Sequence, residues 1–323
     1  MKKVKKVIMY ILIAIFVVMI VMFSYVKFML PSVGAPENLK VESTPERIER
    51  GKYLANCVCV CMDCHSTRDW TKFSGPLVDG TQGKGGEEFN QKFGFPGSFF
   101  ATNITPYGLK DWTDGEILRA ISSGVNKKGK ALFPVMPHGN YGKMDKEDLM
   151  SIIAYIRTLK PIENTTPVSK ADFPMSLIIN TIPKKASFSK IPYKNDKLAY
   201  GAYLVNAASC TDCHTKQEKG TPVAGMEFAG GSEFPLATGG VVRAPNITPD
   251  KETGIGNWGE EDFVNRFKAL ADSNYKPAVI NKGEFNSMMP WMMYKDMTVD
   301  DLKAMYAYLK TVKPVKNTVK TFQ

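Results

Sequence analysis

Residues 7–26, VIMYILIAIFVVMIVMFSYV, run for twenty positions without a charge. A helix of that length rises about 30 Å, the depth of the hydrocarbon core of a bilayer. Lys2, Lys3, Lys5 and Lys6 precede the run and Lys27 follows it. The positive-inside rule then keeps the N-terminus in the cytoplasm and sends the rest of the chain outward. A cleaved signal peptide is the alternative. The run is long for one, and the nearest small-residue site, VGAP, has a disfavoured proline just beyond Ala35. The pattern predicts a retained single N-terminal transmembrane helix, with residues 1–30 as the anchor and 31–43 as a linker.

Beyond residue 43 the apolar positions take up the helical period. Thr44, Pro45 and Glu46 read as N-cap, first helical position and acidic first turn. Thr113 and Glu116 have the spacing of a capping box for a middle helix. Leu149, Ile152, Ile153 and Ile156 mark the buried stripe of a closing helix. The same order recurs downstream, where Leu302, Met305, Tyr306 and Leu309 form the stripe and Thr298 with Asp301 the cap. RIERGKYLANCVCVCMDCH pairs with DKLAYGAYLVNAASCTDCH, TNITP at 102–106 with PNITP at 245–249, and Trp112 with Trp258. This is a tandem duplication of a whole domain. It predicts an all-α chain with domains over 44–160 and 195–323. Gly51 and Gly201, at one register, predict a close crossing of the first helix over the last. Residues 161–194 join the halves. The prolines of 161–196 exclude one long helix, and FPMSLIINTI is too apolar for a loose tether. We expect this linker to be ordered and to lie across both domains.

Composition changes this picture little. The chain has 323 residues, enough for an anchor and two domains of ordinary size. The formal charge is +10, and the five lysines around the anchor supply half of it. The domains are only mildly basic, which gives no reason to expect nucleic-acid binding.

The cysteines carry the chemistry. Cys61, Cys64 and His65 form C-x-x-C-H, as do Cys210, Cys213 and His214. This is the attachment signature of c-type haem. Two thiols three residues apart form thioethers to one porphyrin, and the next histidine supplies a nitrogen to the iron. A redox dithiol does not require the histidine, and a structural zinc site needs four ligands in one place, whereas the chain has three histidines in all. Two covalently attached haem c groups are therefore expected. Cys57 and Cys59 fall outside both signatures, and the second half has alanines there. They read as small, soft residues at the end of a helix, as a strained C-x-C disulfide, or as a redox-sensing thiol or unusual iron ligand.

Each iron has a second axial position. Met136-Pro137 and Met289-Pro290 stand in register before the closing helices, so Met136 and Met289 are the candidate sixth ligands. Among the seventeen methionines, the rivals are Met144 in the first half and Met288, Met292 and Met293 in the second. His138 is the one spare histidine. It reads better as a surface or propionate-neighbouring residue than as a ligand. Pro76 and Pro222 follow the haem histidines by eleven and eight positions. A carbonyl near each is expected to accept the ring N–H and orient the imidazole.

Residues 40–323 resemble the c-type cytochrome subunit of membrane-associated alcohol, aldehyde and gluconate dehydrogenases. NITPDKETGIGNW, MMPWMMYKDMTVDDLKAMYAYL and the first-half NITP and FPVMPHGNYGKM carry the resemblance. It implies two class I cytochrome c domains with His/Met iron, and by position it assigns the axial roles to His65, Met136, His214 and Met289. Members of that group usually carry three haem domains, and Cys57 and Cys59 are outside their pattern. The function expected is single-electron relay on the outer, periplasmic face of the cytoplasmic membrane. Electrons would pass from a dehydrogenase or quinol-oxidising complex to a terminal oxidase or another cytochrome of a respiratory chain, with no catalytic side chain. The alternative is a dihaem enzyme of the cytochrome c peroxidase or thiosulfate dehydrogenase type, which the matched Met-Pro segments oppose.

Overall fold

The computed structural model describes residues 2–218 and 220–323. The first helix, α1 (Lys2–Phe28), has no buried residue, and its mean hydropathy of 3.0 over its most apolar window makes it long and apolar enough to cross a membrane. α2 (Pro45–Tyr53) starts where the sequence places it, with Thr44 Oγ1 accepting from Arg47 N and Pro45 at the first position. It continues into a single π-helical turn, Leu54–Val58, and then α3 (Cys61–Cys64).

Two short strands follow, β1 (Glu88–Phe89) and β2 (Gly97–Phe100), and then α4 (Asp114–Ser123), α5 (His138–Tyr141) and α6 (Lys146–Arg157). Both halves of the Thr113/Glu116 capping box are made. β3 (Lys170–Ala171) adds to the β1–β2 pair and precedes α7 (Met175–Ile178). The second half begins with α8 (Lys197–Ala207) and α9 (Cys210–His214). Two small antiparallel hairpins come next, β4 (Gln217–Glu218) with β5 (Thr221–Pro222) and β6 (Glu233–Pro235) with β7 (Val241–Arg243). α10 (Glu260–Lys268), α11 (Trp291–Tyr294) and α12 (Val299–Leu309) complete the chain. The expectation of an all-α chain is corrected accordingly. The core is helical, but the glycine-rich excursions tie themselves down with strands of two to four residues.

In each half the first helix packs on the closing one, α2 on α6 and α8 on α12. The crossings are as close as the glycines predict. A Cβ on Gly51 would sit 1.8 Å from Ser151 O, and one on Gly201 2.0 Å from Ala304 O. Leu149, Ile152, Ile153 and Ile156 are buried, as are Leu302, Met305 and Leu309. Tyr306 is only half-buried, because its hydroxyl donates to Trp258 O at the rim. The halves share one continuous apolar core. Across their junction Tyr53 donates to Asp301 Oδ2 (2.6 Å) and Tyr203 to Asp148 Oδ2 (2.5 Å). The same hydroxyls accept from Thr298 N and Asp145 N.

The linker differs from expectation. Its hydrogen bonds run to the first half: Phe100 N to Ser169 Oγ, Ser187 N to Gly142 O, and Ile191 N to Asp145 Oδ2. It wraps mainly the first half and meets the second at its end, where Lys194 Nζ lies 5.9 Å from the centre of the Tyr200 ring.

Candidate haem-binding sites

Cys61 and Cys64 lie on α3 with His65 as its C-cap, and Cys210, Cys213 and His214 form α9. The residue before each motif, Val60 in one half and Ser209 in the other, has a left-handed backbone, with φ of 47° and 54°. That conformation costs about 1–2 kcal/mol in a residue with a Cβ. Its recurrence at one register shows that the bend turning each motif away from the preceding helix is built in.

Each histidine is oriented in the same way. His65 Nδ1 is 2.7 Å from Thr102 O, and His214 Nδ1 is 2.8 Å from Pro245 O. A carbonyl only accepts, so Nδ1 carries the proton and Nε2 keeps its lone pair. Burial lowers both histidines below their ordinary pKa, the carbonyl opposing in part, and the rings are neutral at pH 7. The assignment of this role to the neighbourhoods of Pro76 and Pro222 is thereby corrected. Pro76 O accepts from Asp69 N instead, and Pro222 lies in β5.

The true acceptors precede the repeated Asn-Ile-Thr-Pro. Asn103 Oδ1 accepts from Thr105 N (3.0 Å) and Thr105 Oγ1 (2.7 Å). Asn246 Oδ1 does the same with Thr248, at 2.9 and 2.8 Å. The Asn amides then donate to the chain beyond the closing helix, at Ile162 O and Val315 O. The motif is a side-chain-locked turn that presents the preceding carbonyl to the imidazole. Its appearance at one register in both halves was the available signal for it.

Burial pushes the thiols of Cys61, Cys210 and Cys213 up to about 12, and that of Cys64 upward too. Redox-active C-x-x-C pairs have the opposite character, a lowered pKa. All six cysteines are free, Cys57 and Cys59 included. Cys59 is buried with its sulfur 3.9 Å from Met144 Sδ, so Met144, itself fully buried, is a core residue. Cys57 faces an open groove with Tyr53, Leu77, Tyr275 and Met292. Met293 is buried in the core.

Met136 and Met289 are half-buried against the core, each just before a short helix. Their surroundings differ. The stretch leading to Met136 bonds within its own half, with Leu132 N donating to Gly124 O and Val125 bridging Ala131. The loop leading to Met289 is held by the first half. Ser74 Oγ donates to Met289 O (2.7 Å) and accepts from Trp291 N (3.1 Å), while Ser74 N donates to Asn286 Oδ1 (2.8 Å). Asn286 Nδ2 reaches Trp70 O and Lys72 O, both at 3.3 Å. Phe73 N donates to Ala278 O, and Ile280 N to Thr71 O. Arg68 anchors the holding loop. It donates to Ser74 O and Gly75 O, pairs with Asp63 at 2.7 Å, and lies 3.8 Å from the centre of the Trp70 ring.

His138 is not the surface residue expected. It is 4% exposed, and its Nε2 edge lies against Gly124, where a Cβ would come within 2.5 Å of Nε2. That edge is closed to a ligand.

The donor set therefore fits haem c: paired neutral thiols, a neutral imidazole with Nε2 free and Nδ1 engaged, and a thioether in register. Residues 198–313 match the cytochrome c family model. The chain is 28% identical to the cytochrome c subunit of a quinone alcohol dehydrogenase from Gluconacetobacter polyoxogenes, over 83% of this chain and 56% of that one. It is 30% identical to the cytochrome subunit of fructose dehydrogenase from Gluconobacter japonicus, over 68% and 44%. A diheme cytochrome c-type protein of Cereibacter sphaeroides matches at 24% over 79% and 83%. The chain spans about half the length of the alcohol dehydrogenase subunits it matches. Residues 198–313 thus form a cytochrome c domain, and along most of its length the chain is similar to the cytochrome c subunits of alcohol, fructose and gluconate dehydrogenases.

Proposed function

We propose that the chain is a membrane-anchored dihaem cytochrome c that relays single electrons. Residues 44–160 and 195–323 form its two cytochrome c domains. One haem is attached through Cys61 and Cys64 with His65 and Met136 as axial ligands, the other through Cys210 and Cys213 with His214 and Met289. The observation that carries this reading is the recurrence of the His65–Thr102 and His214–Pro245 hydrogen bonds on identically locked turns. A carbonyl that fixes the Nδ1 tautomer orients a metal-ligating histidine and raises its basicity.

The haem irons supply the one-electron chemistry. The protein attaches them, aims the imidazoles, supplies the thioethers and covers the groups with its apolar core. α1 holds the chain in the cytoplasmic membrane with the N-terminus inside and both haem domains on the periplasmic face. The dehydrogenase subunits among its relatives support a dehydrogenase or a quinol-oxidising complex as donor. A terminal oxidase or another cytochrome is the acceptor.

The denatured polypeptide is expected to carry the mass of two haems. Changing Cys61 and Cys64 to Ala removes one, and changing Cys57 and Cys59 removes none. Met136→Ala and Met289→Ala should each abolish about half of the far-red sulfur-to-iron absorption. Retention of both haems after loss of Cys61 and Cys64 overturns the assignment.

A further inference from the structure

The linker carries apolar side chains that the two halves leave uncovered. Phe173 is 81% exposed and Ile178 45% exposed. Met175, Leu177, Ile179 and Ile182 are half-exposed. This stretch touches the last turns of α1. α7 and the following turn, Ile179–Thr181, pack against it, and Asn180 Nδ2 is 3.4 Å from Val26 O. Along α1 the only described residues not fully exposed are Ser24, Val26 and Leu30 at this end and its immediate exit. A segment that touches the last apolar turn of a spanning helix sits at the depth of that turn. Lys27, Lys184 and Lys185 are exposed on either side of the contact.

We propose that residues 173–182 are a second membrane contact, lying in the boundary between headgroups and acyl chains of the leaflet where α1 emerges. The inference rests on the reading of α1 as a membrane span. Phe173 and Ile178 enter the acyl region, as the apolar face of an interfacial helix does. The lysines meet anionic headgroups. The stretch is two short helical turns, which satisfy most of their own backbone groups, as a lipid-facing segment requires. Because the linker bonds to the first half on both sides of this stretch, at Ser169 and at Ser187 and Ile191, the membrane holds that half at two points. The second half is positioned through the first. A redox partner in solution or in the membrane then meets the pair of haem sites in one orientation rather than on a swivelling tether.

The test uses the full-length haem-loaded chain in vesicles of phosphatidylethanolamine and phosphatidylglycerol, with a trace of phospholipid bearing a photoreactive acyl chain. After illumination, peptide mapping should find lipid adducts on α1 and on residues 173–182. Adducts on α1 alone overturn the inference and leave the exposed face to a protein partner. Adducts on 173–182 without α1 uphold the contact and remove the span. Adducts on neither remove both. A second readout is tryptic cleavage at Lys184 and Lys185, expected to be severalfold slower in vesicles than in detergent. The Phe173→Asp/Ile178→Asp chain should lose that protection while keeping its haem spectrum. Equal cleavage of the unaltered chain in the two media also overturns the proposal.

Discussion

The segments bearing Met136 and Met289 occupy the same register of the repeat and are held by different means. The approach to Met136 is a short bridge inside its own half. The approach to Met289 is a longer excursion, from the end of α10 to Ser287, clasped by residues 70–74 of the other half. Duplicated sequence thus makes equivalent helices and equivalent histidine turns, while the loop before Met289 is clasped by the first half and the Met136 segment meets the second half only past the methionine, where Asn140 accepts from Asn206 and donates to Asp212. A loop without periodicity makes no core of its own and takes its shape from whatever supplies hydrogen-bond partners.

The largest expected effect comes from blocking the helix crossings. Leu at position 51 or 201 would drive its Cβ into backbone oxygen at about 2 Å, so the penalty should reach or exceed the upper end of the ~1–3 kcal/mol usual for overpacking. Gly51→Leu should disturb both sulfur-to-iron signals, because the Met289 segment leans on the first half. Gly201→Leu should disturb that of Met136 less, because only Asn140, beyond the methionine, bonds to the second half. Equal damage from both, read by far-red absorption and limited proteolysis, would break the asymmetry.

Next is the clasp itself. Asn286 is 1% exposed and serves two carbonyls and the Ser74 N–H. Each buried group left unpaired costs about 1–3 kcal/mol. Asn286→Ala, and more mildly Ser74→Ala, should weaken the Met289 signal alone. In a Met136→Ala background the remaining far-red absorption should then fall away. If Met289→Ala itself leaves the spectrum unchanged, the ligand assignment fails rather than the clasp.

The junction tyrosines sharpen the comparison from the symmetric side. A hydrogen bond to a carboxylate contributes about 1.5–3 kcal/mol. Asp148 keeps its two-pronged contact with Arg50 when Tyr203 becomes Phe. Tyr53→Phe should therefore lower the denaturation midpoint more than Tyr203→Phe. The smallest effect concerns the spare thiols. Burial raises Cys57 to about 11 and pushes Cys59, which is fully enclosed, well up too. At pH 8 both are neutral, and the folded chain should resist iodoacetamide by mass spectrometry, with Cys57 yielding first as pH approaches 11.

Much of this was legible from side chains. The caps at Thr44 and Thr113, most of the stripes of the closing helices and the tight crossings at Gly51 and Gly201 follow from local rules, whereas at Thr298 only half of the expected capping box forms, because Tyr53 of the other half takes both Thr298 N and Asp301 Oδ2. The two C-x-x-C-H motifs were legible because residue identity and spacing are the whole of that signature. The histidine acceptors were not. They are backbone carbonyls of Thr102 and Pro245, thirty or more residues away, and a carbonyl leaves no mark in residue identity. Only the Asn-Thr lock beside each was written in the repeat. The burial of His138 was not legible, because nothing local says that Gly124 leaves room beneath it. The path of the linker was hidden because its partners are main-chain atoms of Gly142 and the carboxylate of Asp145.

The hydroxyls of Tyr53 and Tyr203 cross the junction in opposite directions, each to the N-terminus of the closing helix of the other half. Residue i meeting j while j meets i is the signature of a twofold axis. A single copy of the repeat with tyrosine at the first register and aspartate at the second would be complementary to itself. The chain is in that sense a covalently closed homodimer. Fusion fixes the ratio of its two C-x-x-C-H motifs at one to one, and lets one copy clasp a loop of the other.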